Sequence, residues 1–276
     1  MDFALEDSLL DSPGVSFVLD QEWLRGKTGL DDVPNLRDVE RAAPSSLKEG
    51  MLYRSSYMFS DQNVKSLGLR TVVDLRRVEN RRCGIPNVQQ VHVSLIDRAT
   101  SVALFRSFPC LFKLKVVVTA PCRNLSEQVI PKLFESEESV ASFYEVVLRN
   151  SVGPLRQVFE VLSKPSNYPC VVHCVAGKDR TGLVVALVLR LCDVPIPLVA
   201  DDYSISETLL GRAIDENRED FDDILLHESS IRSPRESMVQ VLTGIDRDFG
   251  SVWNFLEEHI GLDESQLKTI VSIMKK

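Results

Sequence analysis

The stretch VVHCVAGKDRTGLVVALVLRL, from Val171 to Leu191, constrains the fold more than any other part of the chain. It begins with β-branched residues typical of a buried strand and ends with an apolar run long enough for a buried helix. Between them, Cys174–Arg180 is a short loop that carries a cysteine, a glycine and three charged residues. A strand that passes through a short loop directly into a helix is typical of α/β proteins, and ligands commonly bind at that junction.

The rest of the chain also predicts an α/β fold, with a central, mainly parallel sheet flanked by helices, because strand and helix patterns alternate. The predicted strands are Val15–Asp20, Met51–Ser56, Arg70–Arg76, Val91–Leu95 and Cys170–Cys174. The predicted helices are Asp61–Leu67, 139–150, 153–164, Thr181–Cys192, Asp201–Ile214, Glu236–Phe249, Val252–His259 and Glu264–Met274. We expect one domain over residues 1–276. Within it, the variable stretch 97–140 is either a lid over the site or an insertion packed on the core.

Composition and charge exclude some classes of function. The formal net charge of −8 argues against a general nucleic-acid-binding protein, whose surface would be basic. An anionic substrate remains compatible with it, because the local field decides binding. No secretory signal pattern and no stretch of membrane-spanning length is present, and the six cysteines lack the spacing of a zinc site or a disulfide framework. We therefore expect a cytoplasmic protein with reduced thiols and no integral membrane segment.

The Cys174–Arg180 loop has the chemistry of an anion-binding active site. The free N–H groups and the dipole at the start of the following helix favour a tetrahedral anion. Gly177 lets the backbone turn sharply, and the guanidinium of Arg180 can bind two phosphate oxygens. In that positive field we expect Cys174 to be a thiolate and a nucleophile towards phosphorus. The alternative is a polar turn that contains a cysteine by chance.

Hydrolysis of a phosphomonoester here also needs an acid that protonates the leaving oxygen. The sequence offers two candidates and leaves both open: Asp179 within the loop, and Asp74 at the end of a predicted strand, where parallel sheets bind ligands. Thr181 is placed to donate a hydrogen bond to the nucleophilic sulfur. His173 is expected to hold the loop by hydrogen bonds and not to act as a base.

The segment HCVAGKDRTG resembles the signature of the cysteine-dependent protein tyrosine phosphatase superfamily, HCxxGxxR followed by Ser or Thr, at every fixed position. Its AGKDRTG form resembles a branch of bacterial and fungal tyrosine phosphatases and related lipid phosphatases. VPNLRDV, GMLYRSS, LGLRTVVDLR and DDYSIS, together with the C-terminal helices, resemble further motifs of the family. One departure is Glu40-Arg41 in place of the usual Gly-Gly, which leaves the shape of that turn open.

The resemblance implies a phosphatase of phosphotyrosine proteins that uses a phosphocysteine intermediate and neither metal nor cofactor. Its substrates would be phosphorylated proteins, with a range that can extend to phosphoserine and to phosphoinositides, a tolerance associated with Lys178. We expect the phosphate to contact the loop and the start of the helix at Val175, Ala176, Gly177, Lys178 and Thr181. Two alternatives stay open: a phospho-binding module without turnover, and a phosphoinositide phosphatase proper.

Several charged residues outside the loop have two interpretations. Arg37 and Asp38 are expected to support the site as an ion pair, or else to form a surface pair of little consequence. Arg54 is a cation at the pocket rim or a solvated residue at a strand end. The acidic pair Asp201 and Asp202 is expected to cap the next helix. The basic run of Arg76, Arg77, Arg81 and Arg82 attracts an anionic partner or forms a solvated face.

Overall fold

The computed structural model describes residues 33–57, 61–77, 88–107, 136–216 and 231–276. The predicted strand Val15–Asp20 and the basic residues Arg81 and Arg82 lie outside the described residues. So does the middle of the stretch 97–140, from 108 to 135. The fold and the site below are therefore those of the described ranges.

The described strands form a sheet in the spatial order β1-β2-β5-β3-β4. Their bounds are Arg37–Asp38 for β1, Leu52–Ser55 for β2, Thr71–Asp74 for β3, Gln89–His92 for β4 and Cys170–His173 for β5. β1 pairs antiparallel with β2, while every other pair is parallel, which confirms the predicted mainly parallel sheet. β4 spans Gln89–His92 rather than 91–95, because pairing with β3 at the sheet edge outweighs the local preference of its exposed glutamines.

Helices cover the sheet and follow the apolar periodicity of the sequence. Their bounds are Asp61–Ser66 for α1, Arg98–Ser107 for α2, Glu137–Asn150 for α3, Val152–Leu162 for α4, Asp179–Leu191 for α5, Ile196–Glu216 for α6, Arg235–Phe249 for α7, Val252–Asn254 for α8 and Glu264–Met274 for α9. Short 3-10 helices span Val39–Ala42 and Pro165–Asn167, and a π-helical turn, Phe255–His259, continues α8. Within the described ranges, no helix is both long and apolar enough to cross a bilayer.

The start of α6 corrects one prediction. The helix begins at Ile196, with Pro197 in its first turn, where proline is well tolerated. Asp201 and Asp202 therefore lie inside the helix and do not cap it, so the predicted capping role is wrong.

Part of the variable stretch 97–140 packs on the core. Leu104 of α2 is buried in the main apolar cluster, and the hydroxyl of Thr100 lies 3.1 Å from that of Ser151. These contacts hold α2 against α3 and the start of α4. The lid interpretation depends on residues outside the described ranges and stays a prediction.

α5 is the central helix of the molecule. Its apolar side chains are almost completely buried along the whole helix, and it packs against β2, β5, α3, α6, α8 and α9. The transfer of each such side chain out of water contributes about 1.5–3 kcal/mol to stability. Since α5 cannot shift without disturbing that packing, the N-terminus of α5 has a fixed position relative to the sheet.

Candidate active site

The polar residues of the site meet where the parallel strands end. The register aligns Ser55, His173, Asp74 and His92 in one row across the carboxyl-terminal edge of β2, β5, β3 and β4. The Cys174–Arg180 loop leaves β5 directly from this row, and its last two residues already belong to α5. The loop thus joins a fixed strand to a fixed helix.

The carbonyl groups of the loop are held on its outer side. Tyr57 N donates to Val175 O at 3.1 Å, Asn35 Nδ2 to Ala176 O at 2.9 Å, and Arg54 Nη2 to Gly177 O at 2.9 Å and to Lys178 O at 3.3 Å. In a trans peptide the N–H points opposite to the C=O. The N–H groups of residues 176–179 therefore face the inner side of the loop, and such a run of amides forms a cradle for an anion.

Gly177 fits the loop against the end of β2. Its φ is +68°, a conformation that favours glycine. A Cβ at this position would lie 2.2 Å from Ser55 O and 2.7 Å from Ser56 N. Since both are backbone atoms, the loop cannot keep this position with any other residue.

Beneath the loop lies a buried ionic network centred on Asp202 of α6. Arg54 Nη1 donates to Asp202 Oδ2 at 2.5 Å, and Arg37 Nε donates to Asp202 Oδ1 at 2.8 Å. Arg37 also donates to the carbonyl of Asp202, to Ser206 and to the side chain of Asn35. Burial acts to raise the pKa of Asp202, but the two guanidinium groups outweigh it and the pKa is lowered. Burial lowers the pKa of Arg37 to about 10, which still leaves it charged at neutral pH.

This network corrects two predictions. Arg37 supports the site through Asp202 and Asn35, so its predicted pairing with Asp38 is wrong. Arg54 has no exposed surface and is neither a rim cation nor a solvated residue. With two cations and one carboxylate, the network keeps a net positive charge below the loop, which favours an anion above it.

Asp38 holds the turn that follows β1. Its carboxylate accepts from Glu40 N at 2.9 Å and from Gly50 N at 2.6 Å. Burial raises the pKa of Asp38 to about 6. The turn left open by Glu40-Arg41 is therefore the 3-10 helix Val39–Ala42, capped by Asp38.

Cys174 lies at the base of the cradle and is 2% exposed. The guanidinium of Arg180 reaches the end of β3, where Nη1 donates to Leu75 O at 3.5 Å. Thr181 Oγ1 is buried and has no hydrogen-bond partner within the described residues. The predicted hydrogen bond from Thr181 to the sulfur of Cys174 is therefore not formed.

His173 holds the base of the loop from β5. Its Nδ1 donates to Cys174 O at 3.1 Å, and Nε2 lies 3.9 Å from Asp74 Oδ1. Burial lowers the pKa of His173 to about 4, so the ring is neutral at physiological pH. His92, at the other side of Asp74, binds Arg76 O through Nε2 at 2.6 Å, in agreement with a structural role.

The two candidate carboxylates have different surroundings. Asp74 accepts hydrogen bonds from Arg76 N at 2.9 Å, Nε at 3.0 Å and Nη2 at 2.8 Å. Burial acts to raise the pKa of Asp74, but the bonds from Arg76 and the proximity of His173 outweigh it and lower the pKa. Arg76 is itself nearly buried and packs over the ring of Tyr57, so neither interpretation of the basic run applies to it.

Asp179 is the first residue of α5, and 28% of its side chain is exposed. The hydroxyl of Tyr144 donates to its Oδ1. Lys178 Nζ lies 3.3 Å from the same oxygen and donates to Arg232 O at 2.6 Å. The side chain of Lys178 is 3% exposed, so its charge is used inside the protein.

Four residues that hold this site were not identified from the sequence, namely Asn35, Ser206, Tyr144 and Tyr203, and Arg54 and Asp202 were given other roles. A signal existed for Arg54, which stands in the apolar strand pattern of β2, since a charge in such a strand is buried only with partners. No pattern along the chain pointed to the tyrosines, because helical spacing marks them simply as core residues.

Comparison with known proteins gives a family match and several relatives. A family model described as "Tyrosine phosphatase family" matches residues 28–275. The tyrosine-protein phosphatase of Nostoc commune is 35% identical over 69 residues, which are 25% of this chain and 24% of that protein. The triple specificity protein phosphatase PtpB of Mycobacterium tuberculosis is 29% identical over 191 residues, 61% of this chain and 65% of that protein. The inositol diphosphatase SIW14 of Saccharomyces cerevisiae is 30% identical over 62 residues, 22% of each chain. The chain thus spans less than two thirds of the length of each of these relatives.

The cradle predicts the effect of a single methyl group. Gly177→Ala should lower the affinity for inorganic phosphate by about tenfold or more, since the added Cβ forces the loop off β2 and turns its amides away. Titration calorimetry with phosphate measures this. Gly211→Ala in α6 is the matched control, because its Cβ would meet nothing within 4 Å. Equal phosphate affinities of the two variants would contradict the described cradle.

Proposed function

The chain belongs to the tyrosine phosphatase family, and we propose that it is a phosphomonoester hydrolase that acts on phosphotyrosine proteins through a phosphocysteine intermediate. The observation that carries this proposal is the orientation of the loop above Arg54. Four of its carbonyls accept hydrogen bonds on the outer side, so its amides face the side on which Cys174 lies. The relatives, which are two protein phosphatases and an inositol diphosphatase, support the same reaction class.

In the proposed first step, the thiolate of Cys174 attacks phosphorus as the bond to the leaving oxygen breaks. The loop amides and Arg180 stabilise the three non-bridging oxygens, where the charge of a loose transition state is spread. The leaving oxygen takes the electron pair of the broken bond and a proton from a carboxylic acid. In the second step, water attacks the phosphocysteine, the same carboxylate accepts the proton of the water, and phosphate and the thiolate are regenerated.

We propose Asp179 as that acid and Asp74 as a structural carboxylate. Asp74 accepts three hydrogen bonds from Arg76, and its pKa is lowered, so its surroundings favour the ionised form and suit a structural role. Asp179 stands at the mouth of the loop and is partly exposed, which suits a group that must reach the leaving oxygen. Asp74 then serves to hold Arg76 in place. Together with the neighbouring His173 it forms the floor of the site.

Variants of the nucleophile and of the phosphate-binding cation test the proposed mechanism. Cys174→Ser should abolish hydrolysis of 4-nitrophenyl phosphate, and Arg180→Ala should reduce kcat/KM by about 10²-fold or more, because each removes a group that acts on the transition state. Cys192→Ser, a buried free thiol beyond the far end of α5, is the matched control and should retain activity.

Full activity of Cys174→Ser would disprove the mechanism. Binding of phosphopeptides by the wild-type chain without any turnover would instead favour a phospho-binding module.

Variants of the two carboxylates distinguish the acid from the structural group. Asp179→Asn should slow phenyl phosphate, which has a poor leaving group, about tenfold to a hundredfold more than 2,4-dinitrophenyl phosphate, whose leaving group needs no proton. Asp74→Asn should reduce both rates by similar factors, because it releases Arg76 and disturbs the floor of the site. Steady-state kinetics of the two esters measures this, and the reverse pattern would assign the acid to Asp74.

The position of Lys178 supports phosphotyrosine proteins as the proposed substrate class. Its ammonium group is buried, donates to Arg232 O and pairs with Asp179, so it is not available at the rim for a second phosphate of an inositol ring. We therefore expect kcat/KM for a phosphotyrosine peptide to exceed that for a soluble short-chain phosphoinositide by about tenfold or more.

Malachite-green release of phosphate from both substrates, with Cys174→Ser as the blank, measures this ratio. A higher kcat/KM for the phosphoinositide would replace the proposed substrate class with the second candidate, a phosphoinositide phosphatase.

A further inference from the structure

Two buried tyrosine hydroxyls stand behind Asp179. Tyr144 of α3 is fully buried and Tyr203 of α6 is 1% exposed. The hydroxyl of Tyr144 donates to Asp179 Oδ1, and the hydroxyl of Tyr203 lies 2.8 Å from that of Tyr144. Phenylalanine would fill the same space without the cost of burying a hydroxyl. Packing alone therefore does not explain the two oxygens.

The carboxylate of Asp179 fixes the direction of the hydrogen bonds from Tyr203 to Tyr144 and from Tyr144 to Asp179. An ionised carboxylate can only accept, so the single proton of Tyr144 goes to Asp179. The hydroxyl of Tyr203 must then donate to the oxygen of Tyr144. Burial, followed by the charge of Asp179, raises the pKa of both tyrosines above the ordinary value, so both keep their protons.

The contacts of Asp179 fall on one of its two oxygens. Tyr144 and Lys178 Nζ both approach Oδ1. In the part of the chain that the structure describes, no hydrogen bond or ion pair is found at Oδ2. A proton on Oδ1 is disfavoured because two donors already approach this oxygen, so Oδ2 is the oxygen that can carry the proton.

We propose that Tyr144 is a positioning residue of the reaction, which holds Oδ1 of Asp179 so that the transferable proton resides on Oδ2. As the bond from phosphorus to the leaving oxygen breaks and the bond to sulfur forms, the Oδ2 proton moves to the leaving oxygen and Asp179 becomes a carboxylate. Tyr144 keeps its proton throughout and stabilises the new charge on Asp179. Tyr203 keeps Tyr144 in the donating orientation. This inference rests on the proposed function and adds to it the residue that orients the acid.

The test is the dependence of the rate on the leaving group. Tyr144→Phe should lower the ratio of kcat/KM for phenyl phosphate to that for 2,4-dinitrophenyl phosphate by about tenfold, because only the poor leaving group needs a well-placed proton. Tyr203→Phe, which keeps Tyr144 but removes its donor, should lower the ratio by a smaller factor. In an Asp179→Asn background, Tyr144→Phe should not change the ratio further.

Tyr168→Phe is the matched control. Tyr168 is also buried, and its hydroxyl donates to Leu162 O at 2.7 Å. It precedes the N-terminal end of β5, whereas the loop follows the C-terminal end. Its loss should lower Tm to a similar extent as the loss of the Tyr144 hydroxyl and leave the ratio unchanged.

Three outcomes would overturn the inference: an unchanged ratio in both Tyr144→Phe and Tyr203→Phe, an equal slowing of both esters, or an effect of Tyr144→Phe that persists with Asp179→Asn. Each of these leaves the proposed function intact as long as the wild-type chain turns over and Cys174→Ser does not. Absence of turnover in the wild-type chain would overturn the proposed function and this inference with it.

Discussion

The position of the loop depends on the buried guanidinium of Arg54. Its Nη2 holds two loop carbonyls and its Nη1 binds Asp202 of α6, so a single side chain ties the loop to β2 and to a helix. A planar group with several fixed donors can do this, whereas a lysine offers only a point charge on a flexible chain. These partners offset the free-energy cost of burying the charge of Arg54, because an unpaired buried charge is strongly unfavourable.

Around this contact the structure separates two tasks. The apolar packing of α5 and the parallel register of the sheet fix where the strand ends and where the helix begins. The polar groups between them orient the site. The loop carbonyls point outward and the amides inward, Asp74 is bound to Arg76, and Asp179 accepts a hydrogen bond from Tyr144. Apolar packing thus fixes where the site lies, and hydrogen bonds fix which of its groups face inward.

Local patterns predicted much of the fold, and distance along the chain explains what they missed. β5, the loop and α5 were recognised because period, glycine and the signature residues all lie within about twenty residues. The partners of Arg54 lie 148 and 123 residues away, so nothing beside it in the sequence says whether it is solvated or buried. The capping role expected for Asp202 failed in part for the same reason, because its two arginines lie 165 and 148 residues away. The start of the helix did have a local signal, the proline in its first turn. A strand of only two residues, such as β1, is too short to show the alternation of apolar and polar residues that predicts a strand.

The pair of arginines on Asp202 also has a consequence for the response of the protein to acidity. A guanidinium group does not lose its proton in the physiological range, and Arg37 keeps its charge up to about pH 10. The positive charge that Arg37 contributes beneath the loop is therefore constant across the physiological pH range. Between neutral pH and about pH 10, any pH dependence of the site must therefore come from groups other than Arg37, while His173 at the base of the loop gains its proton only near pH 4.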